Sequence, residues 1–131
     1  MNELQFSDSV MARIRQHGGH YDERAYLFVL AAVEYLQSGL EARRHVSGAE
    51  LAWACHSFAV HQFGLMAETV LSHWGVGRTD DFGRIVYTLV DVGLLVTQPG
   101  DRESDFAAVY EFADVFGGHY DWQGVPKTAT G

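Results

Sequence analysis

The stretch Thr79-Asp80-Asp81-Phe82-Gly83-Arg84-Ile85-Val86-Tyr87-Thr88-Leu89-Val90-Asp91-Val92-Gly93-Leu94-Leu95 decides how this chain is read. Phe82, Ile85, Val86, Leu89 and Val90 recur at the i, i+3, i+4, i+7 spacing that puts them on one face of a helix. Thr79 is a favoured N-cap type, and Asp80 and Asp81 set negative charge at the positive end of the helix dipole. Gly93 supplies the stop, because glycine enters the left-handed conformation without a Cβ clash. Past it, Leu94-Leu95-Val96-Thr97 and Phe106 to Phe112 are β-prone, and Gln98-Pro99-Gly100-Asp101 between them has the composition of a hairpin loop. A helix feeding a two-stranded hairpin is the expectation.

Toward the N-terminus, Ser47-Gly48-Ala49-Glu50 matches the capping box, in which the serine oxygen accepts from the N3 amide and the glutamate reaches back to the N-cap amide. Val46 and Leu51 can close a hydrophobic staple, and the helix should run to about Gln62, with Gly64 past its end. Leu65 to Ser72 reads as a short helix broken at His73-Trp74-Gly75. Asp22 caps a further helix to Gln37 that stops at Gly39. Because Leu27, Phe28, Ala31 and Ala32 extend its apolar surface around the circumference, it should lie centrally. A weaker element, Phe6 to Gln16, carries Val10, Met11 and Ile14 and ends at Gly18-Gly19. The expected organisation is one compact domain, 1–116, with a helical part at 6–40 and a second part at 46–112. The polar, Gly-rich segment 117–131 is expected to be a flexible tail.

From Ser47 onward, the order helix, short helix, turn, helix, hairpin resembles a winged helix. The expected fold class is therefore α+β: mostly helical, winged-helix-like, with a C-terminal β-hairpin. The stretches His20-Tyr21-Asp22-Glu23-Arg24-Ala25-Tyr26, His45-Val46-Ser47-Gly48-Ala49-Glu50-Leu51, His73-Trp74-Gly75 and Thr79-Asp80-Asp81-Phe82-Gly83 also resemble a family of uncharacterised bacterial proteins of about this length. The similarity covers most of Tyr21 to Phe112. It implies a folded bacterial domain and brings no catalytic residues with it.

Composition narrows the function. The chain has 131 residues, 47% of them apolar and 13% aromatic, and nine basic residues against seventeen acidic ones give a net charge of −8. That is enough apolar surface for a core. From Thr79 to Glu111 two arginines oppose seven acids, a balance of −5 on the elements a winged helix would present to phosphate. Candidates for reading base edges reduce to Arg78, Arg84 and Gln98. Nucleic acid is thus a poor partner for that face. An atypical regulator using Arg13, Arg15, Arg43 and Arg44 is the alternative. Met1 to Arg15 holds no long apolar run, so a cytoplasmic location and no membrane association are expected.

Every chemical motif has a simpler structural reading. The single Cys55, beside Trp53 and Phe58, reads as a small buried hydrophobe. His56 and His61 are five apart, about 140° around a helix, which is not the i, i+4 pairing of a helical zinc site. His17, His20 and His119 leave a metal-dependent activity as a third alternative. Gly75-Val76-Gly77 lacks the further glycine and the lysine of a phosphate loop. No catalytic residue, cofactor or metal ligand is assigned, and a non-enzymatic role is expected. The partner-binding candidates are the basic cluster Arg43, Arg44, His45 and the aromatic residues near element ends, Tyr21, Trp74, Tyr110 and Trp122. The reading is a small protein-interaction or regulatory module whose partner is another protein or a second copy of itself.

Overall fold

The computed structural model describes residues 3–17 and 20–116. Within them the chain forms six α-helices: α1 (Glu3–Gln16), α2 (Glu23–Ser38), α3 (Gly48–Phe63), α4 (Ala67–His73), α5 (Thr79–Asp91) and α6 (Phe112–Phe116). Two 3-10 turns, Gly64–Met66 and Glu103–Phe106, complete the regular structure, and no strand occurs among the described residues. The expected tail, 117–131, lies outside them. No described helix is long and apolar enough to cross a membrane.

Local chemistry sets most helix ends. Asp22 caps α2 by accepting the Arg24 N–H at 2.9 Å. Both halves of the capping box at α3 are made, Glu50 N–H to Ser47 Oγ at 3.1 Å and Ser47 N–H to Glu50 Oε1 at 2.8 Å. The α4 and α5 helices end in the same way. Val76 N–H reaches back to Leu71 O and Gly75 N–H to Ser72 O; Leu94 N–H reaches Leu89 O and Gly93 N–H reaches Val90 O. These are Schellman pairs, and they require the positive φ of Gly75 (93°) and Gly93 (88°).

The core forms where α2 lies between α3 and α5. Tyr26, Phe28 and Val29 of α2, Cys55 and Ala59 of α3, and Phe82, Ile85 and Leu89 of α5 are buried together. Burying each large side chain contributes about 1.5–3 kcal/mol, so this three-helix contact is a major part of the apolar stabilisation. Ile14 of α1 and Leu71 of α4 extend it.

The fold is all-helical, which overturns the α+β expectation and with it the β-wing of a winged helix. Leu94-Leu95-Val96-Thr97 never pairs with Phe106–Phe112, because both runs are anchored elsewhere. The Leu94 and Leu95 amides close the end of α5 on Leu89 O. On the other side, Thr79 Oγ1 donates to Phe106 O at 2.6 Å and accepts the Val109 N–H at 3.0 Å, while Asp80 accepts the Ala108 N–H at 3.3 Å. The start of α5 thus takes the backbone groups that a ladder would have used. Thr79 is consequently not the expected cap. It is the first residue of α5, fully buried, and Asp81 serves the helix start by accepting from the Gly77 and Arg78 amides at 2.8 and 3.2 Å.

Phe106 is the wedge that holds this segment down. Its ring lies between α3 and α5 at two glycines. A Cβ on Gly83 would sit 2.9 Å from Phe106 Cβ, and one on Gly48 would sit 3.1 Å from Phe106 Cε1 and 2.9 Å from Asp105 Cβ.

Candidate functional site

A groove of about 500 Å³ opens between the α2–α3 loop and the segment that follows α5. Its apolar lining comes from Val33 of α2, Leu51 of α3, Val86 of α5, and Leu94, Leu95 and Phe106. Arg43, Arg44, His45, Gln98, Asp101 and Arg102 supply much of the polar rim. An apolar concavity with a few converging polar groups is the usual form of a binding site.

The walls are built from local hydrogen bonds. The Gln37 side chain grips the Arg44 backbone from both sides, donating to its carbonyl at 2.7 Å and accepting from its N–H at 3.2 Å. Asp101 accepts the Gln98 N–H at 2.7 Å and folds the opposite loop into a turn. Between the two walls, His45 Nε2 and Asp101 Oδ1 meet at 3.1 Å, across 56 residues of sequence.

The basic cluster at this rim is already paired. Arg43 makes a forked contact with Glu34 at 3.0 and 3.3 Å, and Arg44 makes one with Glu50 at 2.9 and 3.3 Å. The Arg44 guanidinium, with the Ser47 N–H second, holds the Glu50 carboxyl down at about 2. Arg102 is different: 76% of its side chain is exposed, and its nearest carboxylate, Asp105, is 3.9 Å away. Tyr87, also in the lining, has its hydroxyl pKa raised by burial and then by the charges of Asp101, Asp105 and Glu103. With Glu34 and Glu50 counted beside Asp101 and Asp105, the three arginines of the lining meet four carboxylates, so the rim carries no positive excess.

The aromatic candidates belong elsewhere. Trp74 is buried at the end of α4, packed on Phe28 and Phe63 with ring centroids 5.8 and 5.7 Å apart. Tyr110 is buried too, its hydroxyl donating to Ala52 O at 2.7 Å. The exposure expected of both fails because each ring fills a gap between helices. Tyr21 is half-buried and donates to Asp81 at 2.6 Å, and burial followed by that bond pushes its hydroxyl up to about 12. Asp81 gathers four donors, adding Arg84 at 2.8 Å to Tyr21, Gly77 and Arg78, so this cluster reads as a structural tie between the α1–α2 loop and α5. Trp122 lies outside the described residues.

The arginines of the regulator alternative are likewise engaged: Arg13 bonds Val92 O, and Arg15 pairs with Glu23. The His17 ring meets Asp91 at 3.1 Å and the His56 ring meets Val115 O at 3.2 Å, while the His20 backbone N–H donates to the Tyr26 hydroxyl. His119 lies outside the described residues. Among the described residues no group of three His, Cys, Asp or Glu side chains is placed to hold a metal ion. Cys55 is fully buried, and burial pushes its thiol pKa far up, so it is not an activated nucleophile.

Sequence reasoning missed the second wall, Leu94 to Phe106, because it read that segment as a hairpin. It also missed the exposure of Trp53, Leu65, Met66 and Val96. One signal was available: an isolated glycine within the α5 stripe, Gly83, marks a close approach by another segment. Comparison with family models, curated proteins and solved structures finds no match to this chain.

Proposed function

We propose that this chain is a small, non-enzymatic protein-interaction or regulatory module, and that the groove is its contact surface. The groove carries the reading: its walls are held by their own hydrogen bonds, its lining is apolar, and its rim brings charged and polar side chains together. Such a surface is ready to bind without reordering, which keeps the entropic cost of association low. The paired state of Arg13, Arg15, Arg43 and Arg44 favours a protein partner over duplex DNA. A duplex would have to displace several of these pairs at once, whereas a protein carboxylate needs one.

The test is affinity capture with cross-linking from the protein's own cells, comparing wild type with Val96→Glu/Arg102→Glu and with Leu65→Ser. Val96 and Arg102 are exposed on the groove rim, and Leu65 is exposed on the 3-10 turn after α3. The expected result is an identified partner whose recovery is lost with the groove variant and kept with Leu65→Ser. Equal recovery by both variants, or loss confined to Leu65→Ser, would overturn the groove reading.

A further inference from the structure

We propose that two copies of this chain associate through the outer face of α2, the two helices crossing antiparallel at Ala31. This goes beyond the groove reading and uses a different surface. Six large apolar side chains are exposed among the described residues, and four of them, Leu27, Tyr35, Leu65 and Met66, belong to α2 and to the turn that follows α3. Leu27, Ala31 and Tyr35 follow one another at i, i+4 and i+8, so they share one stripe of α2, and all three are exposed. Tyr35 is braced by Phe58 and His61 of α3, with ring centroids 5.0 and 6.1 Å away. Leu65 and Met66 flank the other end of the stripe: they follow Phe63, whose ring stacks at 6.1 Å on Phe28, the neighbour of Leu27.

Pattern, charge and area select a second copy as the occupant. The stripe reads large, small, large in either direction. An antiparallel two-fold through Ala31 therefore sets alanine on alanine, with Leu27 of each copy beside Tyr35 of the other. The small central residue lets the helix axes approach to about 8 Å, the close end of helix packing. The charges bordering the stripe are already paired within the chain: Glu23 with Arg15, Arg24 with Asp22, and Glu34 with Arg43. Two chains that each carry a net charge of −8 meet with least repulsion across such a neutral face. Exposures of 38% to 83% over four side chains of ~200 Å² each leave roughly 400 Å² of apolar surface per copy, about half of the ~800 Å² per partner in a standard stable interface. The expected dimer is weak, with a Kd on the order of micromolar or higher.

Sedimentation equilibrium of the full chain over about 5–500 μM is expected to show a monomer–dimer equilibrium. Ala31→Arg sets two like charges against each other at the two-fold axis and should leave a monomer at every concentration. Its melting temperature at low concentration should be unchanged, because position 31 is exposed. Ala31→Cys tests the crossing point without a disruptive side chain. Two such thiols meeting at the axis should oxidise to an intermolecular disulfide much faster than those of Val96→Cys on the groove rim, while the native Cys55 is fully buried and stays silent. A wild-type monomer at about 500 μM overturns the proposal. So does a dimer that survives Ala31→Arg, or cross-linking no faster at position 31 than at position 96. The groove variant Val96→Glu/Arg102→Glu should dimerise as wild type does, so this surface and the groove fail separately.

Discussion

Gly83→Ala is expected to destabilise the protein although it replaces the poorest non-proline helix former with the best. Propensity alone predicts a gain of about 1 kcal/mol for this change inside a helix. Against it stands Phe106, whose Cβ would lie 2.9 Å, and whose Cγ and Cδ1 would lie 3.1 Å, from the new methyl. The nearest atom is a Cβ, fixed by the backbone, so no rotamer change of Phe106 can relieve the overlap. Residues 105–106 are also blocked on the far side, where Gly48 gives the same close fit. Overpacking of this kind costs about 1–3 kcal/mol, and its backbone origin places it in the upper half of that range. The net expectation is a loss of about 1–2 kcal/mol. Urea unfolding followed by circular dichroism would show it as a midpoint lowered by about 0.5–1 M with an unchanged slope. Because Phe106 forms part of the groove lining, the amide signals of Leu51 and Val86 should shift as well. An alanine variant as stable as wild type, or more so, would refute the wedge and the account of why no hairpin forms.

Thr79→Val keeps the shape and removes the hydroxyl that bonds Phe106 O and Val109 N–H, so thermal unfolding should report a loss of about 1–3 kcal/mol, with the buried carbonyl left unpaired. Ala108 has φ 49°, in the left-handed region; Ala108→Gly relieves about 1 kcal/mol of strain and should leave stability unchanged or higher in the same assay, where a clear loss would contradict that geometry. The folded-state pKa of Glu50 is depressed to about 2, so the stability it contributes is complete above the ordinary carboxylate range and is lost as pH falls toward 2. Carboxyl 13C titration should place that midpoint, and Arg44→Met should return it toward the ordinary value; an unshifted Glu50 in wild type would rule out the fork to Arg44.

Five of the six described helices, and most of their ends, are legible in the sequence; α6 is not, because its first residue closes a β-prone run. The Asp22 cap, the Ser47–Glu50 box and the stops at Gly75 and Gly93 are all visible in the residues, because each joins groups within one or two turns of chain. The α5 stripe was equally legible, and Phe82, Ile85 and Leu89 are fully buried as its periodicity implies. Residues 94 to 112 were settled by contacts distant in the chain. Their β propensity is real, but Leu89 O holds one run, and Thr79, reaching 27 residues ahead to Phe106 O, holds the other. The same holds for the candidate site. Tyr110 is taken inward by a carbonyl 58 residues away, and each arginine of the basic cluster is claimed by an acid that composition cannot match to it. The groove exists because a wedge between two glycines brings the segment after α5 back against the α2–α3 loop. Local rules contain no term for contacts between residues so far apart in the chain, and those contacts chose which surface this protein presents.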